Sequence, residues 1–169
     1  MTRPPPEPVA VVKSRREAAL QWLTGGVPYI QFLGIRFDRR GDELTAVLPY
    51  HDSLIGNPRL PALHGGVTAA FLEVTAIIEL SWSTLWEDME AGRIDPAKAS
   101  LPALPRTIDF TVDYLRSGLP RDAYARARVN RSGRRYASVQ VEAWQDNRDR
   151  PFALGSVHLL MPPPPDAIA

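Results

Sequence analysis

Cysteine is absent from this chain, which rules out disulfides, thiolate nucleophiles and cysteine-built metal sites. Histidine is scarce: His51, His64 and His158 are the full set, and no two stand at metal-ligand spacing. Net charge is nearly absent too, +1 over 169 residues, which removes the global electrostatic case for a nucleic-acid or membrane partner. No run of about 20 apolar residues occurs, and the proline-rich start lacks the apolar stretch of a signal peptide. A cytoplasmic location is the default expectation, and no internal repeat is visible. What is present is 44% hydrophobic residues, enough for one domain with its own core. The 17 prolines gather at Pro4-Pro5-Pro6, Pro8 and Pro162-Pro163-Pro164-Pro165. Residues 1–8 and 162–169 are therefore expected to be flexible tails around a single domain at 9–161.

Periodicity then outlines the elements. Ser14-Arg15-Arg16-Glu17 has the form of a capping box, and Ala19, Leu20 and Leu23 carry an apolar stripe onward to Gly25-Gly26. A short helix is expected at residues 29–33, ended by Gly34. Strands follow at residues 35–39 and 43–48, joined by a turn at Gly41-Asp42. Gly56-Asn57-Pro58 and Pro61 keep residues 51–63 irregular. Residues 66–82 are apolar nearly all round, the mark of a core helix. Beyond an insertion at 86–104, strands dominate. Ile108, Phe110, Val112 and Tyr114 share one face of the first; Ala123, Ala125, Ala127 and Val129 line the second. Ala137, Val139, Val141 and Ala143 line the third, and residues 152–160 form the fourth. One buried helix, preceded by a hairpin and followed by an antiparallel set, predicts an α+β layer fold with the sheet wrapping the helix.

The helix start carries the chemistry. Gly65-Gly66 follows His64, and paired glycines there let another group approach the free N–H donors closely, where the macrodipole favours negative charge. These are the ingredients of an oxyanion hole. Glu73 follows on the same helix, and its neighbours three and four residues away are Ala69, Ala70, Ala76 and Ile77. A carboxylate on so apolar a face needs a reason, since burial disfavours its charged form. Gly66 and Glu73 are seven residues apart, roughly 10 Å along a helix axis. An attacking group must come within about 3–3.5 Å of the reacting carbon. One helix cannot bring both parts to one substrate, so if both act, the site is shared between two subunits.

At these residues the chain resembles the hotdog-fold acyl-CoA thioesterases of the phenylacetate-degradation type. They carry His-Gly-Gly at the start of a long central helix and an acidic residue nine positions after the histidine, as His64 and Glu73 stand here. Asn57-Pro58 looks like the family's asparagine ahead of that helix. Residues 106–116 resemble its first strand after the helix, and residues 131–135 with 137–141 its next hairpin; the likeness spans about 28–161. Two departures stand out. Residues 86–104 are longer and more polar than the pattern, and Glu73 replaces the commoner aspartate. The second leaves open whether Glu73 attacks directly or activates water.

The resemblance implies a hotdog fold and hydrolysis of an acyl- or aryl-CoA to free acid and CoA by a homodimer, or a dimer of dimers. Gly66 or Gly65 would hold the thioester carbonyl, Glu73 of the opposing subunit would act on it, and His64 would order the loop beside the oxyanion hole. Coenzyme A enters as part of the substrate, with no further cofactor and no metal. Asn57 is read either as a group orienting water or the carbonyl, or as a turn residue before proline. Arg131, Arg134 and Arg135 around Gly133 are candidates for the phosphates of coenzyme A, because a guanidinium matches phosphate geometry. His51 and His158 are expected to be structural or exposed, and Asp109 and Asp113 to face solvent or a sheet edge. The rival readings are a hotdog dehydratase or hydratase and a non-catalytic acyl-CoA-binding hotdog protein. Ala46, Arg59 and Ala153 stand five residues before the three histidines, where a hydratase would place an aspartate before one, and retention of Glu73 argues against a non-catalytic protein.

Overall fold

Gly34 sets the first geometry of the chain. In the computed structural model, which describes residues 9–40, 43–91, 93–95 and 103–163, it is the only residue at positive φ. Helix α1 (Val9–Gly25) and the single-turn α2 (Pro28–Leu33) precede it. At φ +66° Gly34 closes α2 in the left-handed region that glycine adopts without strain, and its N–H returns to the Ile30 and Gln31 carbonyls. The chain then enters β1 (Arg36–Arg40) and β2 (Glu43–Leu48). The expected turn at Gly41-Asp42 lies outside the described residues, as do residues 1–8 and most of the expected C-terminal tail.

The long helix α3 (Gly65–Glu90) is followed by β3 (Arg106–Tyr114), β4 (Ala123–Ser132), β5 (Tyr136–Trp144) and β6 (Ala153–Leu160). All six strands form one antiparallel sheet in the order β1-β2-β4-β5-β6-β3. This is the sheet-around-helix arrangement expected above. Alternation does the work: Ala137, Val139, Val141 and Ala143 of β5 all point inward and are buried, against Phe71, Leu72, Ile78 and Leu80 of α3 in the same core. Gly155 of β6 lets the strand approach the helix, because a Cβ there would sit 3.0 Å from the Phe110 ring and 3.6 Å from Leu72. By length and composition α3 could cross a membrane, which the apolar-run reading did not register. Its contacts with β4, β5 and β6 make it a core helix instead.

Three expectations need correction. Helix α1 begins at Val9, so Ser14 lies inside it rather than capping it; Lys13 and Glu17 pair at 3.7 Å one turn apart. Helix α3 runs eight residues past Trp82 into the supposed insertion. Trp86 stacks on Trp82 at 5.2 Å one turn away and Arg16 of α1 lies 4.1 Å over the Trp86 ring, so a ring pair within the helix and a tertiary contact from α1 support the helix in the polar sequence. Within 86–104, residues 92 and 96–102 are not described. Finally, Ile108 does not share the inward face with Phe110 and Val112. A β-bulge between Thr107 and Asp109 breaks the alternation and leaves Ile108 exposed.

Candidate active site

The segment between β2 and α3 is irregular yet closely tied. Its ends meet in an Ile55–Leu63 bridge, and Gly56 N–H donates to the Ala62 carbonyl at 3.1 Å. His64 N–H donates to Leu54 O at 2.8 Å and Leu63 N–H to Gly118 O at 2.9 Å. Gly56 is required by close approach: a Cβ would fall 2.9 Å from both Cα and Cδ2 of His64. The histidine that opens α3 is thereby fixed by the loop before it. Asn57 forms the turn at the loop's tip, its Oδ1 accepting the Arg59 N–H at 3.0 Å. Its side chain is exposed and its carbonyl oxygen engaged locally.

At the start of α3 the two glycines are not equivalent. The Gly66 N–H donates to His64 Nδ1 at 2.9 Å, an N-cap made by an imidazole, and the His64 carbonyl takes the Thr68 N–H at 3.0 Å. Nδ1 therefore acts as an acceptor, which puts the proton of the neutral ring on Nε2. Among the described residues no acceptor faces the Gly65 N–H. Gly65 is thus the open glycine donor at this positive helix end, exposed and without a side chain to bar approach. Its carbonyl accepts the Tyr114 hydroxyl of β3 at 2.8 Å.

Glu73 lies two turns on, half-buried, on the stripe formed with Gly66, Ala69 and Ile77. That stripe is the side of α3 the sheet does not cover, whereas Ala70, Phe71, Leu72 and Ala76 turn into the core. Among the described residues no hydrogen bond or ion pair engages the Glu73 carboxylate. Gly65 and Glu73 are eight residues apart, about 12 Å along the axis, so one chain does not bring them together.

A cavity of about 380 Å³ opens beside the α3 start, lined by Leu63, Thr68, Tyr114, Arg116, Gly118 and Phe152 among others. A slightly larger groove, about 400 Å³, lies among Arg126, Arg128, Gln140 and Ser156 of the sheet. The α3 start does not line it, so the smaller cavity, which reaches Leu63 and Thr68 but not Glu73, is the better candidate. Arg131, Arg134 and Arg135 are exposed at the β4–β5 turn. That turn is at the Arg106–Leu160 end of the sheet, whereas Tyr114, bonded to Gly65, pairs with Ala153 at the other. The separation is seven residues of β5, roughly 23 Å, so within one chain these arginines do not join the site.

His51 bonds the Ser53 hydroxyl, and His158 meets the Tyr136 hydroxyl through Nδ1 while its Nε2 stands 3.8 Å from Asp109. Asp109 and Asp113 are exposed on the edge strand. No group of three or more metal-ligating side chains occurs among the described residues. Two features escaped sequence reasoning: the Tyr114 contact, which spans 49 residues, and Glu79, whose carboxyl burial pushes up to about 7.

A family model for the thioesterase superfamily matches residues 60–152, from the loop before α3 to the residue before the last strand. The chain belongs to the thioesterase superfamily. Its sheet wrapped around α3 is the hotdog fold. Among superfamily members it is 31% identical over 124 residues, 72% of this chain and 78% of the relative, to the medium/long-chain acyl-CoA thioesterase YigI of Salmonella typhimurium. To the Escherichia coli protein of the same name it is 33% identical over 117 residues, 69% and 74% of the two chains. A phenylacetic acid degradation-related protein of Ralstonia eutropha shares the fold, with a TM-score of 0.63 over 85% of this chain and 99% of its own at 19% identity.

Proposed function

We propose that this protein hydrolyses acyl-CoA thioesters to free acid and CoA at a site shared by two protomers. The observation that carries the reading is the open Gly65 N–H at the start of α3, with Glu73 about 12 Å away on the uncovered stripe of the same helix. The medium/long-chain acyl-CoA relatives support the substrate class. The thioester carbonyl accepts from Gly65, whose N–H stabilises the oxyanion as the carbon becomes tetrahedral. Glu73 of the other protomer either attacks that carbon, giving an acyl-carboxylate anhydride that water then cleaves, or takes a proton from the attacking water. Either way the C–S bond breaks, CoA leaves as the thiol, and water supplies the oxygen of the acid. His64 orders Gly66 through Nδ1, and Asn57 shapes the loop that holds His64.

Two surfaces support a dimer. Strand β3 is a nine-residue edge with unpaired backbone groups and exposed Ile108 and Tyr114, and the Gly66, Ala69, Glu73 and Ile77 stripe lies open on α3. Coenzyme A enters as substrate, and the chemistry uses no metal or further cofactor. A cytoplasmic location belongs to the same proposal and is checked by cell fractionation. The decisive experiment is a thiol-release assay across short-, medium- and long-chain and aryl-CoAs. Glu73→Gln keeps the shape and removes the charge, so turnover should fall by about a hundredfold or more with the melting temperature little changed. Near-normal hydrolysis by that variant would make Glu73 structural and end the reading.

A further inference from the structure

We propose that Tyr114 is a positioning residue for the oxyanion donor, its hydroxyl holding the Gly65 peptide so that the Gly65 N–H meets the thioester oxygen. The inference rests on the thioesterase reading above. Tyr114 ends the edge strand β3 and is 55% exposed, so water alone could satisfy its hydroxyl. It donates instead to the Gly65 carbonyl at 2.8 Å, and a Gly65 Cβ would stand 3.5 Å from its hydroxyl oxygen and 3.6 Å from its ring. Two glycines open α3, the residue type that loses most freedom on ordering, in a turn whose donors have no intrahelical partners. Such a start frays unless something outside the helix holds it.

Three tethers do so. The loop fixes His64 through its N–H to Leu54, the His64 ring takes the Gly66 N–H, and Tyr114 takes the Gly65 carbonyl. The last two act on a single peptide unit, the one joining Gly65 to Gly66. Tyr114 O–H donates to its oxygen while its N–H donates to His64 Nδ1. Each bond polarises the other, and together they fix the peptide plane. Of the two glycine donors, the one left without an acceptor among the described residues is the Gly65 N–H. That N–H belongs to the preceding peptide, whose oxygen takes the Thr68 N–H. Tyr114 does not touch the reacting atoms, but by anchoring the plane on the other side of the Gly65 Cα it limits how far that donor can turn.

Tyr114→Phe removes the hydroxyl and keeps the ring. In the full-length protein, kcat on a medium-chain acyl-CoA should fall about tenfold while KM stays within about twofold, because the lost alignment matters once the oxyanion forms. Gly65→Ala has room for its Cβ, in ordinary contact with Tyr114, and its methyl group should crowd a substrate oxygen approaching the donor. In that background Tyr114→Phe should cost little more, since the group it positions is already impaired. Hydrogen exchange at the Gly66 amide should quicken in Tyr114→Phe, a readout independent of turnover. Full kcat in Tyr114→Phe, losses that multiply with those of Gly65→Ala, or unchanged Gly66 exchange would each overturn the proposal. An active wild type with a dead Glu73→Gln and a full-speed Tyr114→Phe would defeat this inference alone. A wild type inactive on every acyl-CoA would overturn the thioesterase reading and this inference with it.

Discussion

Glu79 sits on α3 six residues beyond Glu73, in a cleft shared with Arg16, Arg39, Trp82, Trp86 and Glu87, and desolvation pushes its carboxyl from 4.5 up to about 7. The folded state therefore holds the Glu79 proton more tightly than the unfolded chain does. Raising pH from about 4.5 to about 7 then takes stability away, with no further loss from this group above that interval. Allowing for its partial exposure, the change is about 1–2 kcal/mol. Thermal melting of the wild type should decline across pH 5 to about 7.5, and Glu79→Gln should flatten that decline and melt higher at about pH 8. Equal slopes for the two proteins would show that Glu79 is ionised throughout. At this scale the sequence was informative for Glu73, whose apolar ring is local, and silent on Glu79. Its helical neighbours Thr75 and Ser83 look ordinary, and only the fold brings Arg16 of α1 and Arg39 of β1 into its cleft.

Among the elements, the β4–β5 hairpin concentrates three arginines around Gly133, whose N–H returns to the Tyr136 carbonyl at 2.9 Å. Its distance from the Gly65 of its own chain means that any hold on the coenzyme A phosphates serves a site completed by a second protomer. Replacing Arg131, Arg134 and Arg135 with Ala should raise KM for acyl-CoA much more than it lowers kcat, because phosphates remote from the reacting carbon bind alike in ground and transition states. The rise should shrink with added salt, which screens exposed charges. Identical kinetics at low salt would mark the cluster as solvated surface. The hairpin itself was legible from alternation, as were β2, β5 and β6, where inward positions are uniformly small or branched. Strand β3 was less so, because a bulge turned Ile108 outward and no local signal announces a bulge.

For the whole molecule the proposed shared site implies a division of labour between copies. A chain carrying Glu73→Gln retains a working Gly65 donor, and one carrying Gly65→Ala retains a working carboxylate. Mixed dimers of these two impaired variants should regain about one active site in two, whereas each variant alone keeps only its residual turnover. Recovery absent from verified heterodimers, or full activity in a strictly monomeric wild type, would place both groups in one chain and defeat the shared-site scheme. Local patterning by itself determined the order of the elements, the core helix, and the placement of a Gly-Gly start and a carboxylate too far apart on one axis to meet. Those follow from residue periodicity and a constant rise per residue. Only the tertiary structure decided which glycine N–H stays open, how far α3 runs, and which carboxyl loses its water. His64 takes the donor of Gly66, Tyr114 reaches Gly65 across 49 residues, and Arg16 meets Trp86 from another helix. These contacts exist because the sheet and α1 close around α3, and closure between distant segments leaves no local trace in the chain.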